Sequence, residues 1–111
     1  MKRIAFRMQL NPGCVAEYRR RHDELWPEMD AVLRDAGIVD YAIWLDEPTL
    51  VLFAVMLVRD DHATDELPEN PVVRRWWDHM ADVMAVNPDN SPVTGELELM
   101  FQLQTDESPL T

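Results

Sequence analysis

The stretch "VDYAIWLDEPTLVLFAVMLV", Val39 to Val58, decides the fold. Its first part sets Val39, Tyr41, Ile43 and Leu45 against Asp40, Ala42, Trp44 and Asp46. A period of two marks a strand with one buried face. "EPT" (47–49) turns the chain, and "LVLFAVMLV" (50–58) is apolar on both faces, as an inner strand is. The reading is a hairpin whose second strand lies inside a sheet.

Upstream, Met29, Val32, Leu33 and Ala36 share a helical face, with Pro27 at the first helical position and Gly37 as the stop, which predicts a helix over 27–36. Pro27 lacks an N–H and clashes with a preceding turn, so the chain breaks near 23–26. A separate helix is predicted over 14–22. Val15, Tyr18, His22 and Leu25 share its inner face, and Glu17 precedes Arg21 by four residues as an exposed supporting pair. "KRIAFRMQL" (2–10) alternates again, a half-buried strand closed by "NPG" (11–13).

Downstream, 59–71 is an acidic loop with Pro68 and Pro71 and at most a short helical turn before Pro68. "VVRRWWDHMADVM" (72–84) is helical, with Val73, Trp76 or Trp77, Met80 and Met84 on one side, and "NPDNSP" (87–92) is a turn cluster. "ELELMFQLQ" (96–104) alternates Leu97, Leu99, Phe101 and Leu103 with polar partners, a last strand. Residues 1–104 read as a single domain and 105–111 as a mobile tail. The order β, α(α), β, β, α, β is the α+β, ferredoxin-like split βαβ pattern, a four-stranded antiparallel sheet with helices on one face. Its bare face needs cover, most simply from the same face of a second subunit.

The 111 residues are 47% hydrophobic and 28% charged, a globular composition. Ten Lys and Arg against 21 Asp and Glu give a net charge of −11, which opposes binding to nucleic-acid phosphates. No apolar run reaches the ~18–20 residues of a membrane span. The N-terminus lacks the pattern of a signal peptide. Cys14 is the only cysteine, so no disulfide framework exists. The cytoplasm is the expected location, and a neutral or cationic small molecule the expected ligand.

Against this acidity stands "YRRRH" (18–22). Tyr18 and His22 lie one helical turn apart on the inner face, while the arginines fall mainly off it. Such a pair is either a positioned acid and base or a core histidine whose nitrogens are satisfied by the backbone. Trp76 and Trp77 point about 100° apart on a helix, so one can line a cavity or both can pack. Tyr41 can reach a ligand between sheet and helices or simply end a strand. His62 reads as solvated. His79, near Asp78 and Asp82, has no metal-ligand spacing around it, and Cys14 reads as a filler.

Five stretches together resemble the L-rhamnose mutarotases: "FRMQLNP" (6–12), "EYRRRHDELWPEM" (17–29), "YAIWLD" (41–46), "RRWWDHMADVM" (74–84) and "NPDNSPV" (87–93). The resemblance implies a dimeric α/β barrel and an aldose 1-epimerase that uses no metal or other cofactor. It implies that His22 is the general acid and that Tyr18, Tyr41, Trp76 and Trp77 contact the sugar. Trp44 stands where the family usually has tyrosine, and the loop before Pro71 carries two prolines in place of a more regular helix. Both departures bear on the pocket rim and hence on the choice between L-rhamnose and a related deoxy-sugar such as L-fucose. The same fold also serves sugar-binding sensor modules and haem-handling or cofactor-free oxygenase relatives, and fold alone does not choose among these.

Overall fold

The structure, a computed structural model, describes residues 1–108. Its elements are strand β1 (Lys2–Gln9), helices α1 (Val15–Asp23) and α2 (Pro27–Asp35), strands β2 (Ile38–Asp46) and β3 (Val51–Val58), a 3₁₀ helix (Thr64–Glu69), helix α3 (Pro71–Met80) and strand β4 (Gly95–Glu96). The sheet is antiparallel in the order β2-β3-β1-β4. The hairpin and its inner strand are therefore as the alternation predicts. No helix among the described residues is long and apolar enough to cross a membrane.

Register sorts the side chains. Across the sheet Tyr41 pairs with Met56 and Met56 with Ile4; Ile43 pairs with Ala54 and Ala54 with Phe6; Leu45 pairs with Leu52 and Leu52 with Met8. These rows form the inner face. Met8, Leu52 and Ala54 join Tyr18, Met29, Val73, Trp76 and Met80 in the main core. The opposite face carries Arg7, Phe53 and Trp44 in one row.

The helices stop where their residues dictate. Pro27 and Pro71 occupy first-turn positions, where a missing N–H costs nothing. Asn70 caps α3, its Oδ1 accepting from the Val72 N–H at 2.8 Å. Gly37 follows α2 at φ +100°, and a Cβ there would lie 2.9 Å from the His62 backbone, so both conformation and space require glycine.

Five expectations need correction. The predicted strand over 96–104 is paired only at Gly95–Glu96, with one further bond from the Leu97 N–H to the Ala5 carbonyl at 3.2 Å. Beyond it Leu99, Met100, Phe101 and Leu103 are exposed, and the β4-side edge of β1 before Ala5 has no strand partner among the described residues. Helix α3 ends at Met80, four residues before the expected Met84. The end of β1 captures the chain there: Asn11 N–H donates to the Val83 carbonyl, Ala85 N–H to the Gln9 carbonyl, and Leu10 bridges Met84. Val39 does not share the Tyr41 face. The register shifts between Ile38 and Asp40, so Val39 is a bulge residue, and Ile38 is buried opposite Val58 in its place. The short turn expected before Pro68 is a 3₁₀ helix with Pro68 inside it. His62, expected to be solvated, is half-buried and bonded through Nδ1 to Thr64. Of the tail, 105–108 contains a hydrogen-bonded turn, and 109–111 lie outside the described residues.

Candidate active site

Helix α1 is only nine residues long, and its inner stripe determines the site. Tyr18 is buried and His22 half-buried, one turn apart, with ring centroids at 4.3 Å and an angle of 30°. His22 meets the Trp76 indole edge-on at 5.4 Å and 89°. Trp76 meets Trp26 in the same way at 5.1 Å and 88°. The His79 ring closes the group, 5.4 Å from Trp76 and 5.3 Å from Trp26. Edge-to-face rings set positive hydrogens against negative π faces, which fixes orientation as well as filling space.

Between these rings and the inner sheet face lies a cavity of about 1410 Å³. Tyr18, His22, Tyr41, Trp76 and Trp77 all border it. The structure thus brings together the five residues that the resemblance implies for the site, while Cys14, His62 and His79 do not border the cavity. Trp76 is buried and Trp77 half-buried, so the adjacent indoles have different jobs: one packs within the ring cluster, and the other lies under the Arg74 guanidinium at 6.0 Å. The 3₁₀ helix contributes Leu67 and Pro68 to the rim, and the "NPDNSP" turn contributes Asn87 and Asn90. Asn90 Nδ2 also donates to Asp78 at 3.0 Å, which ties this turn to α3. Trp44 is 61% exposed, and its row lies on the sheet face away from Tyr41. It reaches the cavity only from the margin at the β2 edge.

The His22 Nδ1 lies 3.0 Å from the Tyr18 carbonyl oxygen. A carbonyl can only accept, so Nδ1 carries the proton and Nε2 is the nitrogen left for exchange. Burial pushes the His22 pKa below its ordinary value, opposed in part by the Tyr18 carbonyl and the Asp23 charge. Burial pushes both tyrosines the other way. Tyr18 rises well above the usual phenol range, helped by the nearby Tyr41, and Tyr41 is pushed up to about 12. Both are therefore neutral phenols at ordinary pH, able to donate and accept hydrogen bonds but poor bases.

Three residues make contacts that the sequence reading did not give them. Trp26, at the N-cap of α2, packs across onto the Trp76 and His79 rings of α3, a contact no local pattern announces. His79 is exposed and serves through ring contact. Arg21 is 13% exposed, whereas the sequence places it in an exposed pair with Glu17. Its bond to Glu17 forms as expected, at 2.7 Å, but its guanidinium also reaches Asp82, 61 residues away. No local pattern announces that distance.

A family model described as L-rhamnose mutarotase matches residues 3–103. An L-rhamnose mutarotase of Acidiphilium cryptum is 57% identical over 103 residues, covering 93% of this chain and 99% of the relative. One of Brucella anthropi is 54% identical over 102 residues, covering 92% and 96%. The crystal structure of an L-rhamnose mutarotase from Formosa agariphila superposes with a TM-score of 0.87 at 47% identity, covering 94% of this chain and all of that one (100%). A Mycobacterium tuberculosis structure at 14% identity and a TM-score of 0.56 shares the fold alone. The chain belongs to the L-rhamnose mutarotase family.

Proposed function

We propose that this protein is an isomerase that interconverts the α and β anomers of L-rhamnose by opening and reclosing the sugar ring. The observation that carries this reading is the meeting of Tyr18, His22, Tyr41, Trp76 and Trp77 around one cavity, with His22 held through Nδ1 so that Nε2 is free.

Opening a cyclic hemiacetal breaks the bond from C1 to the ring oxygen. One proton goes to that oxygen and one leaves the anomeric hydroxyl, giving the aldehyde. Rotation about C1–C2 and reversal of both proton transfers close the ring on the other face. His22 is the general acid: its protonated Nε2–H delivers the proton to the ring oxygen. A lowered pKa makes that imidazolium a stronger acid at the cost of its population near neutral pH, the trade that general acid catalysis tunes. The raised pKa of Tyr18 speaks against a phenolate base and leaves water or a carboxylate at the cavity to take the anomeric proton. Tyr18 and Tyr41 then hydrogen-bond sugar hydroxyls as phenols, and Trp76 and Trp77 pack the methyl and C–H surface of the deoxy-sugar.

The working unit of this reading is a homodimer in the cytoplasm, each copy a single domain over 1–104. The exposed apolar residues Trp44, Phe53, Leu99, Phe101 and Leu103 support the pairing, since a second copy is the simplest cover for them. The single free cysteine supports the compartment. Saturation-transfer NMR at the anomeric proton tests the activity directly. Faster α/β exchange of L-rhamnose than of L-fucose and other aldoses supports the reading. Sugar binding without faster exchange overturns it in favour of a sensor module.

A further inference from the structure

We infer that Arg21 is a positioning residue: by tying α1 to the last turn of α3, it holds the His22 ring, with Tyr18 stacked on it, against Trp76. The inference rests on the reading of His22 as the proton donor.

The three arginines of "YRRRH" have separate fates. Arg19 borders the cavity. Arg20 lies on the surface, bonded to Glu17 and Glu24 at 2.6 Å each. Arg21 turns inward. Its Nε donates to Glu17 at 2.7 Å, Nη1 to the His79 carbonyl at 2.6 Å and to Asp82 Oδ1 at 2.7 Å, and Nη2 to Asp82 Oδ2 at 3.2 Å. The His79 carbonyl is one that a helix ending at Met80 leaves without an intrahelical partner, so the guanidinium closes α3 while gripping it. Among the described residues, every side-chain hydrogen bond from α1 to the end of α3 and the turn after it comes from Arg21.

Both ends of this clamp adjoin the rings. Arg21 precedes His22 in the chain, and the gripped His79 lays its own ring on Trp76 and Trp26. The anchor is itself fixed, since Asn11 Nδ2 donates to the Asp82 carbonyl at 3.2 Å and Asn11 N–H to the Val83 carbonyl at 2.9 Å. The Asp82 side chain is 70% exposed, so the ion pair adds little stability. What the planar fork adds is geometry, which a single ammonium does not reproduce. Loss of the clamp should therefore reduce activity far more than it reduces stability.

The test compares Arg21→Met and Arg21→Lys with the wild type in L-rhamnose exchange, thermal melting and NMR titration of the His22 ring. Misplacing a reacting group by about 1 Å can cost ~10²-fold, so R21M should lose ~10²-fold in kcat with KM nearly unchanged, and R21K should lie between. The R21M melting midpoint should stay within a few degrees, and the His22 midpoint should rise toward its ordinary value as water reaches the loosened ring. A folded R21M with the wild-type rate and His22 midpoint overturns the inference, as does a loss confined to KM. Should R21M fail to fold, Asp82→Asn decides. It weakens only the bidentate pair: slowed exchange with a raised His22 midpoint supports the clamp, and wild-type values of both overturn it. Failure of the underlying function would look different, as a wild type that accelerates no exchange. The His22 titration would still decide the role of Arg21.

Discussion

On the inner face of the sheet, Ile4, Phe6 and Met8 stand beside Met56, Ala54 and Leu52, and three helices of the same chain lie over them. On the outer face, Phe53 and Trp44 stand side by side in register and remain exposed. The inner face is apolar along β1, β2 and β3, and the outer face is apolar along β3, where Val51, Phe53, Val55 and Leu57 alternate beside Arg7 and Trp44. Alternation therefore reports that a face is to be buried, but not which molecule buries it. The inner face became a site because its cover arrives with rings and a histidine, whereas the outer face has only packing to offer.

If that contrast is correct, damage to the two faces should separate chemistry from assembly. The largest effect belongs to the inner side. His22→Ala should slow anomer exchange by ~10²–10⁴-fold, the usual contribution of a general acid, with no change in mass by sedimentation. Full exchange in this variant would break the assignment. Trp76→Ala removes the hub of the ring cluster and should cost about 3–5 kcal/mol in urea unfolding, as buried aromatics do. In the exposed segment after β4, Phe101→Asp with Leu103→Asp should weaken self-association by at least ~10²-fold in sedimentation, since each apolar group withheld from an interface forfeits ~1.5–3 kcal/mol. If this double variant sediments as the wild type does, the exposed segment is not part of the interface. Tyr41→Phe sharpens the picture of the cavity. One lost hydrogen bond of ~0.5–1.5 kcal/mol should raise KM for L-rhamnose ~2–10-fold and leave folding intact.

The smallest expected effect is on pH. The folded-state pKa of His22 lies below its unfolded value, so the unfolded chain binds more protons and stability rises with pH. His22 costs nothing above its unfolded pKa, and stability is lost as pH falls from that value through the lower folded one. Melts of wild type and His22→Gln should diverge in this window, with the variant lacking the wild type's drop. Glu17 runs in the same direction at lower pH, its pKa held down at about 2 by Arg20 and Arg21. Its salt links are present above the ordinary carboxylate range and are lost as pH falls toward that value.

Much of this was legible in the sequence because it is periodic or locally punctuated. Strands β1 and β2 come from alternation, β3 from an apolar run bounded by a turn, and α1 and α2 from an apolar stripe interrupted by Pro27. Tyr18 and His22 are neighbours by helix geometry alone. What could not be read depends on partners far along the chain. Val83 and Ala85 leave the helical path because Asn11 and Gln9 take their backbone groups. The segment from Leu97 onward alternates as a strand should, yet its pairing with β1 stops after the bond from Leu97 to Ala5, and no local pattern announces that end. The bulge at Val39 changes which of two adjacent apolar residues faces inward, and both Ile38 and Val39 satisfy the pattern. Arg21 satisfied a local rule by pairing with Glu17, which concealed its longer reach to Asp82.

The link from Arg21 to the His79 carbonyl spans 58 residues of sequence. At ~5–20 residues per second of synthesis, the helix bearing His22 leaves the ribosome seconds before the one bearing Trp76. A nascent chain halted after β3 holds three of the four strands and His22, but lacks the Trp76 ring that meets His22 edge-on. The ring arrangement around His22 is thus completed only by late, long-range docking, after α3 has emerged.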